Sequence, residues 1–390
     1  MPARRKPTIL LLAAAALSVA VLAAVGPFVS TLRFLATLTG GIGPVGRLLS
    51  VDARPVATRD LQVPTRHGAA PARVYSTTPV SPSTVLVIPG VHGGGLDEPR
   101  QTRFAVRLAS TGVTVVVVPL PDLREFRLTP RSTEQIEDAV RWVTSTPPLA
   151  PSGRIGLVGV SFGGGLAVVA AGRPSVADRL DFVLSLGGHG DFARALRYLC
   201  TGVLPDGTVR PPHDYGVALA ALGGLPWIVP ADQAAPLEDG LRMYLNAAFD
   251  TSDAQTDARR LLAGARQAAD RLPDPAGAIL TAAVERDVRT LGRLVAPAIE
   301  PLSADPALSP ERSPVPRVPV FLLHGAADNV IPSTETELLA AHLEQHGVSV
   351  HALLTPALSH VGIQPEIGLV DYWRLVNFWK AVREAMDEES

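Results

Sequence analysis

Five short runs of almost purely apolar, largely β-branched residues punctuate the chain: TVLVIPG (84–90), VTVVVVPL (113–120), RIGLVGV (154–160), DFVLSLGG (181–188) and VPVFLLHG (318–325). A strand with one face in water alternates polar and apolar residues, so runs without alternation belong to strands covered on both faces. Between and after them lie stretches with helical spacing: EPRQTRFAVRLASTG (98–112), STEQIEDAVRWV (132–143), GGGLAVVAAG (163–172), STETELLAAHLEQHG (333–347) and VDYWRLVNFWKAVREAM (370–386). The second of these opens with a capping-box pattern at Ser132 or Thr133. A further strand is expected at VSVHALLTP (348–356), and RDLQVPTRHGAAPARVYST (59–77) reads as a hairpin turning at His67-Gly68. Strands alternating with helices predict an α/β fold, with a mostly parallel sheet flanked by helices on both faces.

Residues 191–314 differ in kind. They are rich in Ala, Leu, Asp and Arg at helical periods, carry no buried-strand run, and end in the proline-rich DPALSPERSPVPRVP. This predicts a helical cap inserted between two parts of one core, at 51–190 and 315–390. Within it, ALAALGGLPWIVP (218–230) is a candidate lining for an acyl pocket, with ordinary packing as the simpler alternative.

Residues 1–50 form a separate unit. After Arg4, Arg5 and Lys6 no charge occurs until Arg33, and Thr8–Val29 is apolar over a length that can cross a bilayer, which takes about 20 residues. The basic end stays cytoplasmic by the positive-inside rule, so the bulk of the chain is expected outside the cytoplasm. An uncleaved membrane helix is the favoured reading. A signal peptide cut near Val21-Leu22-Ala23 would give a secreted protein instead. A net charge of −2 offers no footprint for nucleic acid, and a single cysteine, Cys200, excludes a disulfide framework within the chain or a cysteine metal site. His342 and His346 are four apart on an expected helix, but no third ligand accompanies them. No metal or other cofactor is implied.

The run RIGLVGV leads directly into Ser161-Phe162-Gly163, so a serine stands at a strand-to-helix junction with Gly159 and Gly163 two residues to either side. A nucleophile needs an exposed hydroxyl on a backbone that cannot relax, and small flanking residues permit the sharp turn that achieves it. The helix that follows also aims its unbonded N–H groups at the reacting centre. A serine hydroxyl needs a base, and the base a carboxylate to orient it. Asp328 in LLHGAADNVIP (322–332) and His360 in TPALSHVG (355–362) each follow an expected strand, at the same sheet edge as Ser161, where open α/β sheets bind ligands. Asp191, after the preceding strand, is the alternative acid.

With Ser161, Asp328 and His360 in that order, the chain resembles the α/β-hydrolase superfamily, its esterases, lipases and dienelactone-hydrolase-like members, over roughly 60–190 and 315–390. GVSFG matches the nucleophile elbow, HGAADNVIP the acid loop and SH the histidine loop. VIPGVHGGG matches the loop that completes the oxyanion hole. The resemblance implies that the N–H of Phe162 pairs with that of Val91, or of His92 or Gly93 in the lipase alignment. His92 and His189 are expected to line the substrate pocket, and Arg194 and Arg197 are candidates for contact with an acidic substrate. The implied reaction is hydrolysis of a small-molecule carboxylic ester through an acyl-enzyme. Acyl transfer or peptide cleavage on the same triad, or a catalytically silent binding protein, are the alternatives.

Overall fold

A computed structural model describes residues 26, 28–38, 54–79, 81–249, 255–359, 362–363 and 368–387. The expected membrane segment falls almost wholly outside these residues. Among the described residues no helix is long and apolar enough to cross a membrane.

The chain opens with helix α1 (28–38), followed by the hairpin β1 (Ala57–Thr65) and β2 (Gly68–Ser76), whose last pair is Thr65 opposite Gly68. Next come β3 (Thr84–Ile88), α2 (Pro99–Ser110), β4 (Thr114–Val117), α3 (Pro130–Thr144), β5 (Ile155–Val160), α4 (Phe162–Ala171) and β6 (Leu180–Leu186). The α3 helix starts at Pro130, not at a Ser132 or Thr133 cap. Proline at the first helical position has its φ already set and no N–H to satisfy. Both hydroxyl residues are instead buried inside the helix, and Thr133 donates to the Ala307 carbonyl at 2.8 Å.

Between β6 and β7 the chain builds α5 (Phe192–Thr201), α6 (Asp214–Ile228), α7 (Ala231–Phe249), α8 (Gln255–Ala269), α9 (Ala276–Val284) and α10 (Val288–Val295). It then returns through β7 (Val320–Gly325), α11 (Thr334–Gln345), β8 (Val350–Thr355), the short pair β9 (Leu358–Ser359) and β10 (Gly362–Ile363), and α12 (Leu369–Asp387).

Eight strands form one sheet in the order β1-β2-β4-β3-β5-β6-β7-β8. The pairings from β4 through β8 are all parallel, and only β1 and β2 run against their neighbours. Strand periodicity separates two apolar layers. Leu86, Ile88, Val116, Leu157 and Leu322 point to the face covered by α3, α4 and α11, whereas Val85, Val87, Val115, Val158 and Phe321 point to the face covered by α1, α2 and α12. The apolar side chains of α5–α10 join the first of these layers, so the inserted helices share the core of the sheet.

One ion network ties this insertion to the sheet. The Arg194 guanidinium, on α5, bonds Glu335 at 2.6 and 2.9 Å and Glu311 at 2.6 and 2.9 Å. Glu335 is fully buried, and it also accepts the Gly190 and Asp191 N–H groups, both at 3.0 Å. Removing one partner of a buried ion pair leaves the other charge uncompensated, typically at about 3–5 kcal/mol. Arg194→Met is therefore expected to lower the unfolding free energy in urea by about that amount, with Arg194→Met/Glu335→Met recovering part of it. An unchanged midpoint in the single variant would remove this network from the account.

Candidate active site

Parallel strands end together at one sheet edge, and the residues singled out above follow those ends. Ser161 comes directly after β5 with φ 55° and ψ −134°, a left-handed backbone that residues with side chains rarely adopt. Two close approaches hold it there. A Cβ on Gly159 would sit 2.3 Å from the Gly163 carbonyl oxygen, and one on Gly163 would sit 2.5 Å from that of Pro89. The Ser161 N–H also donates to the Leu186 carbonyl of β6 at 2.7 Å, fastening the turn to the next strand.

The loop after β3 lies against the serine: a Cβ on Gly90 would approach Ser161 Cβ to 3.0 Å and Oγ to 3.7 Å. Val91 follows Gly90, and Phe162 opens α4. Among the described residues nothing accepts a hydrogen bond from either amide. For Phe162 this follows from helix geometry, because the first-turn N–H groups have no intrahelical acceptor. The next peptide, between Val91 and His92, is held by Tyr215 of α6, whose hydroxyl donates to the Val91 carbonyl at 2.7 Å. Burial pushes the Tyr215 phenol far up, so it stays a donor. Tyr215 escapes sequence reasoning, since nothing in DYGVALAAL relates it to a loop more than a hundred residues earlier.

Asp328 is buried in the loop after β7. Its Oδ1 accepts the N–H groups of Val330 at 2.8 Å and Ile331 at 3.1 Å. Its Oδ2 lies 3.5 Å from Nε2 of His324, a fully buried side chain that sequence reasoning did not single out. The His324 Nε2 donates to the Ile331 carbonyl at 2.9 Å, while Nδ1 pairs with the Thr336 hydroxyl at 2.7 Å. The insertion holds this loop as well: the His213 N–H and the Tyr198 hydroxyl both donate to the Asn329 carbonyl, at 2.8 and 3.3 Å. Arg210 donates to the Asp328 carbonyl at 3.4 Å.

His360 lies outside the described residues. Its neighbours Ser359 and Gly362 face each other in the antiparallel pairing of β9 with β10, just beyond β8.

Other expected site residues have different employment. His189 is fully enclosed behind the elbow and does not line an open pocket. Its Nε2 donates to the Leu308 carbonyl at 2.8 Å, and its ring lies 5.4 Å from that of Phe162 and 5.7 Å from that of Phe192. Burial lowers its pKa, so it is neutral at pH 7. His92 is also buried, and its Nε2 donates to Gln101 of α2 at 3.2 Å. Neighbouring glycines make both histidines look exposed in sequence, whereas contacts beyond the local chain enclose them. Asp191 caps α5, accepting the Arg194 N–H at 2.7 Å. Arg194 is committed to its carboxylates, and Arg197 lies 3.6 Å from Glu300. His342 and His346 pack ring on ring, 4.4 Å apart, and among the described residues no group of side chains could hold a metal ion.

A sheet in this order, with a strained serine after β5, defines the class: the molecule is an α/β-hydrolase. Residues 106–362, well over half of the chain, match the model of X-Pro dipeptidyl-peptidase (S15 family), and the chain belongs to that family of serine-type hydrolases. No curated protein matches the chain in sequence. Among solved structures, an esterase of Pyrobaculum calidifontis shares 19% identity and a TM-score of 0.45, over 88% of this chain and 86% of that one. A brefeldin A esterase, a bacterial homologue of human hormone-sensitive lipase, shares 17% identity and a TM-score of 0.45, over 87% and 76%. An acylaminoacyl peptidase of Pyrococcus horikoshii shares 12% identity and a TM-score of 0.44, over 88% of this chain but 43% of that one.

Because the Gly159 and Gly163 contacts leave no room for a methyl group, Gly159→Ala is expected to displace the elbow while the fold survives. A shift of about 1 Å at a reacting group can cost about 10²-fold. The expected outcome is a loss of that order in kcat on p-nitrophenyl acetate, with the far-UV circular dichroism of the parent. Parental kcat in this variant would show that the close approach does not hold Ser161.

Proposed function

We propose that the chain hydrolyses carboxylic esters of small acyl substrates through Ser161, His360 and Asp328. The observation that carries this reading is the strained Ser161 beside two amides, those of Phe162 and Val91, that have no acceptor among the described residues. In the proposed reaction His360 takes the Ser161 proton as Oγ attacks the ester carbonyl. The oxyanion is held by the two amides, and the alkoxide leaving group departs with the proton from His360. Water, deprotonated by the same imidazole, then attacks the acyl-serine and restores the free hydroxyl. Asp328 keeps the imidazole oriented and stabilises its charged form. Helices α5–α10 act as a cap whose tyrosines and backbone steady the two loops that meet the substrate.

Among the described residues, the pairing of the carboxylates Glu98, Glu335 and Asp214 favours an ester over a peptide with a free N-terminus. An exopeptidase must hold the substrate's ammonium with an uncommitted acid, because a buried charge needs a partner. Glu98 is bonded to Arg100, and Glu335 to Arg194. For Asp214 burial works upward, but the hydrogen bonds from His213 and Tyr244 and the charge of Arg286 bring its pKa down to about 2. Peptide cleavage is the second reading, favoured by the match to the family of X-Pro dipeptidyl-peptidases.

The location proposed rests on sequence. The apolar segment behind Arg4, Arg5 and Lys6 would anchor the chain with its catalytic body outside the cytoplasm.

Rates on p-nitrophenyl acetate and butyrate, set against Gly-Pro p-nitroanilide, separate the two activities. Ester turnover with no anilide cleavage is expected, falling at least ~10³-fold in Ser161→Ala. Faster cleavage of the dipeptidyl anilide would transfer the assignment to the peptidase reading.

A further inference from the structure

Five of the nine exposed large apolar side chains among the described residues gather at one end of two packed helices. They are Val29 on α1 and Leu369, Val370, Tyr372 and Trp373 on α12. Leu369 is 88% exposed, Val370 66% and Trp373 54%, so the cost of hydrating them is not relieved by packing among the described residues. The starts of the two helices coincide there, since the Phe28 and Trp373 rings stack with centroids 5.0 Å apart and planes 8° apart. Arg383 secures the pair farther along, donating to the Ser30 hydroxyl at 2.7 Å.

Two further facts orient this patch. α12 ends at the amino edge of the sheet, where Ser83, just before β3, donates to the Met386 carbonyl at 3.2 Å. Nineteen helical residues span about 28 Å, and α12 follows β8, so its exposed first turns lie toward the carboxyl edge that carries Ser161. The second fact is where the chain comes from. Residues 8–25 are uninterruptedly free of charge and end three residues before the stacked Phe28 in the sequence.

Trp and Tyr favour the boundary between hydrocarbon and water, where the ring is partly apolar and one atom stays wet, and aliphatic neighbours deepen such contact. We infer that Val29, Leu369, Val370, Tyr372 and Trp373 form a docking face for the headgroup layer of a lipid bilayer. It rests on the anchored reading of the N-terminal segment. The face seats the body on the membrane with the Ser161 edge inclined toward the lipid, and it is built where the anchor would leave the bilayer.

The test uses the full-length chain in vesicles of phosphatidylcholine and phosphatidylglycerol. Cys200 is buried and burial pushes its thiol up to about 12, so it stays unlabelled at pH 7. Leu369→Cys and Val370→Cys, each carrying a polarity-sensitive fluorophore, are compared with Val209→Cys, which is 72% exposed on the insertion. Nitroxide lipids labelled near the headgroup are expected to quench the dye at 369 and 370 at least twofold more than at 209. A chain that floats with vesicles yet shows equal quenching at all three positions overturns the face alone. A chain that does not float overturns the anchor and the face together.

Discussion

A residue with a side chain at positive φ costs about 1–3 kcal/mol, and the turn at Ser161 keeps that conformation because its surroundings leave no other. The Gly159 position packs against the backbone of Gly163, Gly163 packs against the Pro89 carbonyl, and the Ser161 N–H is tied to β6. Those three contacts bring the ends of β3, β5 and β6 together at one point. The parallel pairings set the ends level, and the glycines let them approach. The serine is thereby presented at the sheet edge next to amides that nothing else in the described structure uses.

The helical insertion contributes to the site through bonds to backbone. Tyr215 fixes the carbonyl of Val91, and so the direction of the peptide that follows Val91. Tyr198, Arg210 and the His213 amide together grip the carbonyls of Asp328 and Asn329. One short stretch, from α5 to the start of α6, thus holds the loop after β3 and the loop after β7. The Arg194 network fixes the base of the same stretch to Glu335 at the start of α11. Geometry at the two loops is therefore coupled to the seating of the insertion.

Most of the sheet was legible because burial on both faces leaves an unambiguous trace, as in TVLVI and TVVV. Local turn chemistry was legible too: the hairpin at His67-Gly68 and the elbow at Gly159-Val160-Ser161 depend on residues adjacent in sequence. The start of α3 was missed by two residues because hydroxyl side chains that resemble a cap are buried in the helix, and Pro130 begins it. The environments of His92 and His189 could not be read, since Gln101 and Leu308 enclose them through packing that no local pattern encodes. Tyr215 and His324 were invisible for the same reason. Tyr215 acts on a backbone group whose nearness arises only from the assembled fold, and His324 on one that the loop after β7 folds back to it.

The central claim, that Ser161 is the nucleophile, meets its most direct test in peptide mapping after reaction of the folded chain with a fluorophosphonate. Trypsin does not cut before Pro174, so it releases residues 155–179 between Arg154 and Arg179, and fragmentation of that peptide separates an adduct on Ser161 from one on Ser175, the other hydroxyl it contains. One adduct per chain, on Ser161 of this peptide, is the predicted result. A folded chain that takes up no label, or carries it on another residue, would contradict the assignment.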